Sequence, residues 1–146
     1  MTCRAPGRGD EGNALVEFVY VAVLLLIPVI YLLLTVFQVQ RAAFGTTEAA
    51  REGARAYARS ADVDTAELRA HDAVSLALRD QGVHSGETVG FSCDHGPCLA
   101  AGSTVRVTVT YWVKLPVLGA IFGDARHGAI KVQASHVEYV DRYVAR

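Results

Sequence analysis

Residues 18–40 carry no charged side chain, and this run constrains the chain more than any other feature. Those 23 residues form a rod of roughly 34 Å as an α-helix, enough to cross the hydrocarbon core of a bilayer. Fifteen of the twenty residues from 18 to 37 are Val, Ile, Leu or Phe, so insertion is favourable by several kcal/mol in sum, on the order of −0.3 to −0.6 each. A buried core helix is the competing reading. A chain of 146 residues lacks a second layer thick enough to wrap a helix that is apolar on all sides. A secretory signal peptide also competes, since Arg4 and Arg8 precede the run. Its apolar stretch would be about twice the usual length, and no small-x-small cleavage site follows closely. The sequence therefore predicts one transmembrane helix.

Beyond the run the composition is that of an ordinary small domain with charges of both signs, and the net charge is −1. Without a concentrated basic face a nucleic-acid partner is not expected. Loop charges do not orient the span: Asp10 and Glu11 nearly cancel Arg4 and Arg8, while Arg41, Arg51, Arg55 and Arg59 lie on the other side. Cys93 and Cys98 bracket the turn-forming Asp94-His95-Gly96-Pro97, so a disulfide at the end of a hairpin fits, and with it an oxidising compartment. A metal site of Cys93, His95 and Cys98 is the alternative, three ligands with no obvious fourth. Cys3 stands apart near the N-terminus.

After the span, residues 41–59 continue in a helical idiom, with Glu48, Arg51, Glu52 and Arg55 at ion-pair spacing. Ala50, Ala54 and Ala58 form one row of small residues, and Ala49 and Gly53 a second beside it. Two readings stand: a seam that another helix approaches closely, or an alanine-rich stretch chosen for helix propensity. Gly45 with Thr46 and Thr47 marks a point where the helix is expected to soften. Residues 60–64 read as a break, with Asp64 and Glu67 as N-cap and reciprocal acceptor of a second helix. Its stripe is Ala66, Ala70, Ala73, Val74, Ala77 and Leu78, and Gly82 stops it.

Residues 105–114 alternate strictly, with Val105, Val107, Val109, Tyr111 and Val113 on one face, which predicts a half-buried strand. Residues 88–93 pair with it across the cysteine-bracketed turn. Residues 129–139 make a third strand whose alternation slips near Ser135 or His136, the place where a bulge is expected. Residues 115–123 form an apolar loop, with Leu118, Ile121 and Phe122, suited either to a membrane surface or neighbouring subunit or to filling the core. The fold class is α+β: an N-terminal transmembrane helix extended by a helix, then a small helix-plus-antiparallel-sheet domain.

No catalytic arrangement emerges. His71, His84, His95, His127 and His136 show no ligand spacing, and no phosphate loop or activated nucleophile is present, so neither an enzyme nor a cofactor or metal is expected.

Glu17 stands inside the apolar run, where a carboxylate is costly unless it finds a partner. It follows Gly12 by five residues in the order Gly12-Asn13-Ala14-Leu15-Val16-Glu17-Phe18, after a short charged leader. These residues resemble the prepilin class. Together with Glu48-Ala49-Ala50-Arg51-Glu52-Gly53-Ala54-Arg55, which is similar to an Ala-Arg-rich stretch of one family, they point to the TadE-like pseudopilins of Tad (Flp) pilus systems. The resemblance covers about the first 40% of the chain. It implies cleavage between Gly12 and Asn13 by a prepilin peptidase on the cytoplasmic face, with the C-terminal domain outside the cytoplasm. It also implies a role in pilus assembly through contacts with other pilin or pseudopilin subunits. Asn13 and Phe18 depart from the larger apolar residue and the tyrosine usual at those places, and the chain is longer than the major Flp pilins, which favours a minor subunit. The organisation implied is a leader at 1–12, a transmembrane helix at 13–40, a juxtamembrane helix at 41–59 and an extracytoplasmic domain at 60–146. A single-pass anchored binding or sensor module that keeps its leader is the rival from another functional class.

Overall fold

The computed structural model describes residues 11–94, 96–115 and 128–142. The elements are α1 (Glu11–Ala58), α2 (Val63–Asp80), β1 (Thr88–Asp94), β2 (Thr104–Lys114) and β3 (Ala129–Tyr139). The fold is α+β, with a three-stranded antiparallel sheet in the order β1-β2-β3. By compactness the chain divides into residues 1–36 and 37–146.

In the first unit the helix is long and apolar enough to cross a membrane, and its most apolar window buries none of its residues. Phe18 and Leu24 are both more than 70% exposed. Pro28 lies inside the helix, which α1 accommodates without a break in its assigned span. The Thr35 hydroxyl donates back to the Tyr31 carbonyl at 2.9 Å.

The second unit is built on the last part of α1. Gly45, Thr46 and Thr47 do not soften the helix as expected: both threonine hydroxyls donate to the Ala43 carbonyl, at 3.1 and 2.8 Å, and the helix runs through. Residues 41–59 therefore belong to the same compact unit as the sheet. The helix ends where Ser60 turns back, its N–H donating to Tyr57 O and its hydroxyl to Ala56 O.

The N-cap of α2 is Asp62, which corrects the expectation of Asp64. Asp62 has extended backbone; its Oδ1 accepts the Thr65 N–H at 2.8 Å, and its Oδ2 accepts the Thr65 hydroxyl at 2.8 Å. Helical structure begins at Val63 and puts Asp64 in the first turn, where a carboxylate still favours the helix dipole. At the other end the Gly82 N–H donates to Arg79 O and the Val83 N–H to Leu78 O, a Schellman arrangement. It requires the left-handed backbone that Gly82 supplies at φ 76°. Val83 and Leu78, both buried, close the accompanying apolar contact.

β1 and β2 pair from Thr88↔Thr110 to Asp94↔Thr104, and β2 and β3 from Thr104↔Tyr139 to Lys114↔Ala129. The second register is continuous, so β3 carries no bulge at Ser135 or His136. The slip in alternation is instead a change in which face is apolar. Ile130, Val132 and Ala134 share the face of Val113, Tyr111 and Val109, whereas Val137 and Tyr139 share that of Arg106 and Thr104. An edge strand tolerates this because its inner face is incompletely covered: His136 and Glu138 occupy inner positions there, 3.3 Å apart and both part-exposed.

The core lies on one face of the sheet. Val105, Val107 and Val109 are fully buried with Ala49, Ala54 and Tyr57 of α1 and Ala66, Ala70, Val74 and Leu78 of α2. Val89, Phe91 and Tyr111 pack against that cluster from the same face. The Phe91 ring lies 5.3 Å from Tyr57 and meets His71 edge-on at 5.4 Å.

Candidate functional site

Four groups of residues bear on function, and the first is the start of α1. Gly12 and Asn13 lie within the helix as described from Glu11 onward, and Glu17 follows Asn13 by four residues, about one helical turn. Glu17 is exposed. The preceding residues of the expected leader, with Cys3, lie outside the described residues.

The second group is the small-residue seam. Ala49, Ala50, Gly53, Ala54 and Ala58 are all buried, and the helix that approaches them is α2 of the same chain. Gly53 is the tightest point: a Cβ built there would stand 2.7 Å from Val74 Cγ2, 3.4 Å from Val107 Cγ1 and 3.5 Å from Ala70 O. At this residue α1, α2 and the central strand meet, and only the missing side chain admits the contact. The seam is thus interior to the fold of this chain. Glu52 and Arg55, beside it, pair at 3.1 Å on the surface, worth a few tenths of a kcal/mol.

The third group is the cysteine pair. Cys93 and Cys98 form a disulfide with their α-carbons 5.2 Å apart. Cys93 ends the inner face of β1 opposite Val105, and both half-cystines pack against the core. The bond consumes the two thiolates that a metal would need. The return of the chain is tied by Ser103, whose hydroxyl donates to Cys98 O and Ala100 O at 3.0 and 2.7 Å, and by Ala100 N–H to Pro97 O at 2.9 Å. His95 lies outside the described residues, as do Leu118, Ile121, Phe122 and His127. Among the described residues no cluster of three His, Cys, Asp or Glu side chains could hold a metal.

The fourth group was not singled out by sequence. Within the second unit a groove of about 700 Å³ is bounded by Gln38, Arg41 and Ala42 of α1, by residues 81–86 between α2 and β1, and by Tyr111, Trp112, Val113 and Lys114 at the end of β2. Arg41 reaches the α2 terminus, its Nη1 3.6 Å from where a Cβ on Gly82 would be. Among the described residues no carboxylate lines the groove. Its residues lie in three distant stretches of sequence, so only the fold assembles them. The one signal available beforehand was Arg41 standing directly after the apolar run.

Among the described residues two groups have perturbed ionisation. Burial, and secondarily the charge of Glu67, push the Tyr57 phenol up from its ordinary value. The Thr65 N–H and hydroxyl hold the Asp62 carboxyl below the usual carboxylate range. Both serve the scaffold: Tyr57 is a core residue and Asp62 a cap.

Comparison of the chain with protein-family models, curated proteins and solved structures found no match.

Proposed function

We propose that this chain is a TadE-like minor pseudopilin: anchored by the span at 13–40, cut between Gly12 and Asn13 by a prepilin peptidase, and active in Tad (Flp) pilus assembly through protein contacts. The observation that carries the reading is the order along α1. One helix holds the Gly12-to-Glu17 motif in its first turns, then the charge-free run, and then the seam that anchors the α+β domain. The Cys93–Cys98 disulfide supports placing that domain outside the cytoplasm, where such bonds persist.

In this reading Gly12 leaves the scissile backbone unobstructed. Cleavage frees a positive amino group on Asn13, one turn before Glu17, and an apolar surrounding tolerates the two charges when they pair. The partner amine belongs to a neighbouring subunit, as the resemblance to pilins implies. The seam is spent on internal packing, so subunit contacts fall to the apolar helix and the exposed faces of the domain.

Two variants expressed with a prepilin peptidase test this. Gly12→Leu should accumulate as uncut precursor, and Glu17→Ala should be cut but fail to co-purify with pilus subunits. If both variants behave as the parent chain does, the pseudopilin reading is wrong and the anchored-module reading stands.

A further inference from the structure

We propose that the outer edge of β3 pairs with the same edge of a second copy of this chain, antiparallel and about a two-fold axis at Val132. The inference rests neither on the membrane span nor on cleavage at Gly12.

The two margins of the sheet are unequal. At β1 the Phe91 ring touches both Tyr57 of α1 and His71 of α2, so the helical layer reaches that strand. On the inner face of β3, by contrast, Ile130 is 39% exposed, and the His136 and Glu138 side chains are 38% and 36% exposed. β1 has 7 residues with Gly90 in the middle, whereas β3 runs for 11 residues without a proline or a bulge. Among the described residues no strand pairs with the outer edge of β3. Proteins protect such an edge by shortening or bending it, or with proline, lysine or an inward-pointing charge. β3 has Lys131 and, on its inner face, His136 and Glu138. The inward charges guard one end of the strand, which leaves residues 129–135 as the part open to a further strand.

Hydrogen-bond parity determines which backbone groups face outward. The Leu115 N–H donates to Gly128 O at 2.7 Å and the Val140 N–H to Ser103 O at 2.9 Å, two pairs that continue the β2–β3 register at either end. Bonded pairs alternate along an antiparallel ladder, so the even-numbered residues of β3 turn their N–H and C=O toward β2. Ala129, Lys131, Gln133 and Ser135 turn theirs outward. An edge that pairs with itself must join odd to odd, which leaves the position of the two-fold axis as the one variable. With the axis at Val132, Lys131 faces Gln133 of the second copy and Ala129 faces Ser135, giving two hydrogen bonds at each of four pairs. On the inner face Ile130 then meets Ala134, and Val132 meets Val132, apolar against apolar throughout. An axis at Lys131 sets two ammonium groups opposite each other, which is destabilising. An axis at Gln133, Ala134 or Ser135 sets His136 or Glu138 against Ile130 or Val132, an ionisable group against an apolar one. The edge complements itself at Val132.

The test uses the full chain in non-ionic micelles, with Cys3→Ser so that the Cys93–Cys98 disulfide holds the remaining cysteines. Val132→Cys, Gln133→Cys, Ala134→Cys and Ser135→Cys each place one thiol on a candidate axis. Val132→Cys should give the cross-linked dimer fastest under mild oxidation, because α-carbons that face each other in a non-bonded pair lie about 4.5 Å apart, within bridging range. Fastest cross-linking at another of the four positions, or equal rates at all of them, would overturn the proposal. Gln133→Pro removes an outward N–H and spares the β2–β3 ladder, since an edge strand accepts proline on its solvent side. Sedimentation equilibrium should show its dimer weakened by roughly 30-fold, at about fivefold for each of the two hydrogen bonds lost per dimer. A dimer unchanged by Gln133→Pro, as association through the apolar helix alone would give, overturns the pairing. Circular dichroism establishes that Gln133→Pro is folded; if it is not, the cysteine series decides. In the parent chain the Lys131, Gln133 and Ser135 amides should exchange with deuterium at least tenfold more slowly at concentrations that favour the dimer. Slow exchange at these amides in the monomer, as an edge already covered within one chain would give, also overturns it.

Discussion

Gly53→Ala probes the junction on which the α+β domain is built. At an exposed helical site the change would stabilise, since alanine is favoured over glycine by about 1 kcal/mol. At Gly53 the new methyl falls 2.7 Å from Val74 Cγ2, closer than real carbon atoms approach. Val74 is fully buried, and a β-branched side chain in a helix has essentially one rotamer, so it cannot swing away. Val107 Cγ1 at 3.4 Å and the Ala70 carbonyl at 3.5 Å lie at ordinary contact distance from the same methyl, so the strain falls on Val74. Overpacking of this kind costs about 1–3 kcal/mol. Set against the propensity gain, the net loss is roughly 0–2 kcal/mol, opposite in sign to the propensity effect alone. Gly45→Ala is the matched control: its new methyl meets the exposed Gln81 side chain at 3.2 Å and should be near neutral. Urea titration of the full chain in non-ionic micelles, followed by Trp112 emission, measures all of these. Val74→Ala alone should cost about 2 kcal/mol, and combining it with Gly53→Ala should recover roughly 1 kcal/mol relative to the sum. A Gly53→Ala chain as stable as Gly45→Ala, with additive behaviour in the double variant, would refute the close approach of α1, α2 and β2.

Three further outcomes follow from the same structure. Cys93 and Cys98 should resist thiol labelling in the denatured, unreduced chain, and replacing both with serine should cost about 2 kcal/mol for so short a loop; full labelling of both would contradict the bond. The raised Tyr57 phenol keeps its proton longer in the folded than in the unfolded chain, so its contribution is complete below the ordinary 10.0 and is lost as pH rises beyond it. Tyr57→Phe should flatten that alkaline decline in thermal melts, and an unchanged alkaline limb would contradict it. Asp62 has the opposite sign: its lowered carboxyl stabilises above the ordinary 3.8, and the effect disappears as pH falls through the folded value. Asp62→Asn should therefore keep α2 capped while removing part of the acid limb, whereas Asp64→Asn should not.

What could be read from sequence follows from how local each signal is. The strict period-two alternation of Val105 to Val113 located β2 and its inner face, and the cysteine spacing located the β1–β2 turn and its disulfide. Asp62 and Asp64 are ambiguous in sequence because each has a polar residue three positions on, Thr65 or Glu67, and only the backbone shows which carboxylate accepts an N–H. The apolar side of β3 changes at Val137, which resembles a bulge unless one knows that the strand lies at the sheet edge. The small residues of α1 announced a close neighbour but not its identity. That neighbour is α2, fixed by the short connection and by the Val74 and Leu78 stripe. The groove was illegible because its walls come from three distant stretches of sequence, around Arg41, Gly82 and Val113, which only the tertiary structure brings together.

The central claim is that α1 begins as the processed, membrane-inserted end of a pseudopilin. Intact-mass and N-terminal analysis of the chain, extracted from membranes of cells that also express a prepilin peptidase, tests it most directly. The account predicts a mature chain starting at Asn13, with cleavage abolished in Gly12→Leu. A membrane-bound chain that retains residues 1–12 in the presence of an active peptidase would contradict it.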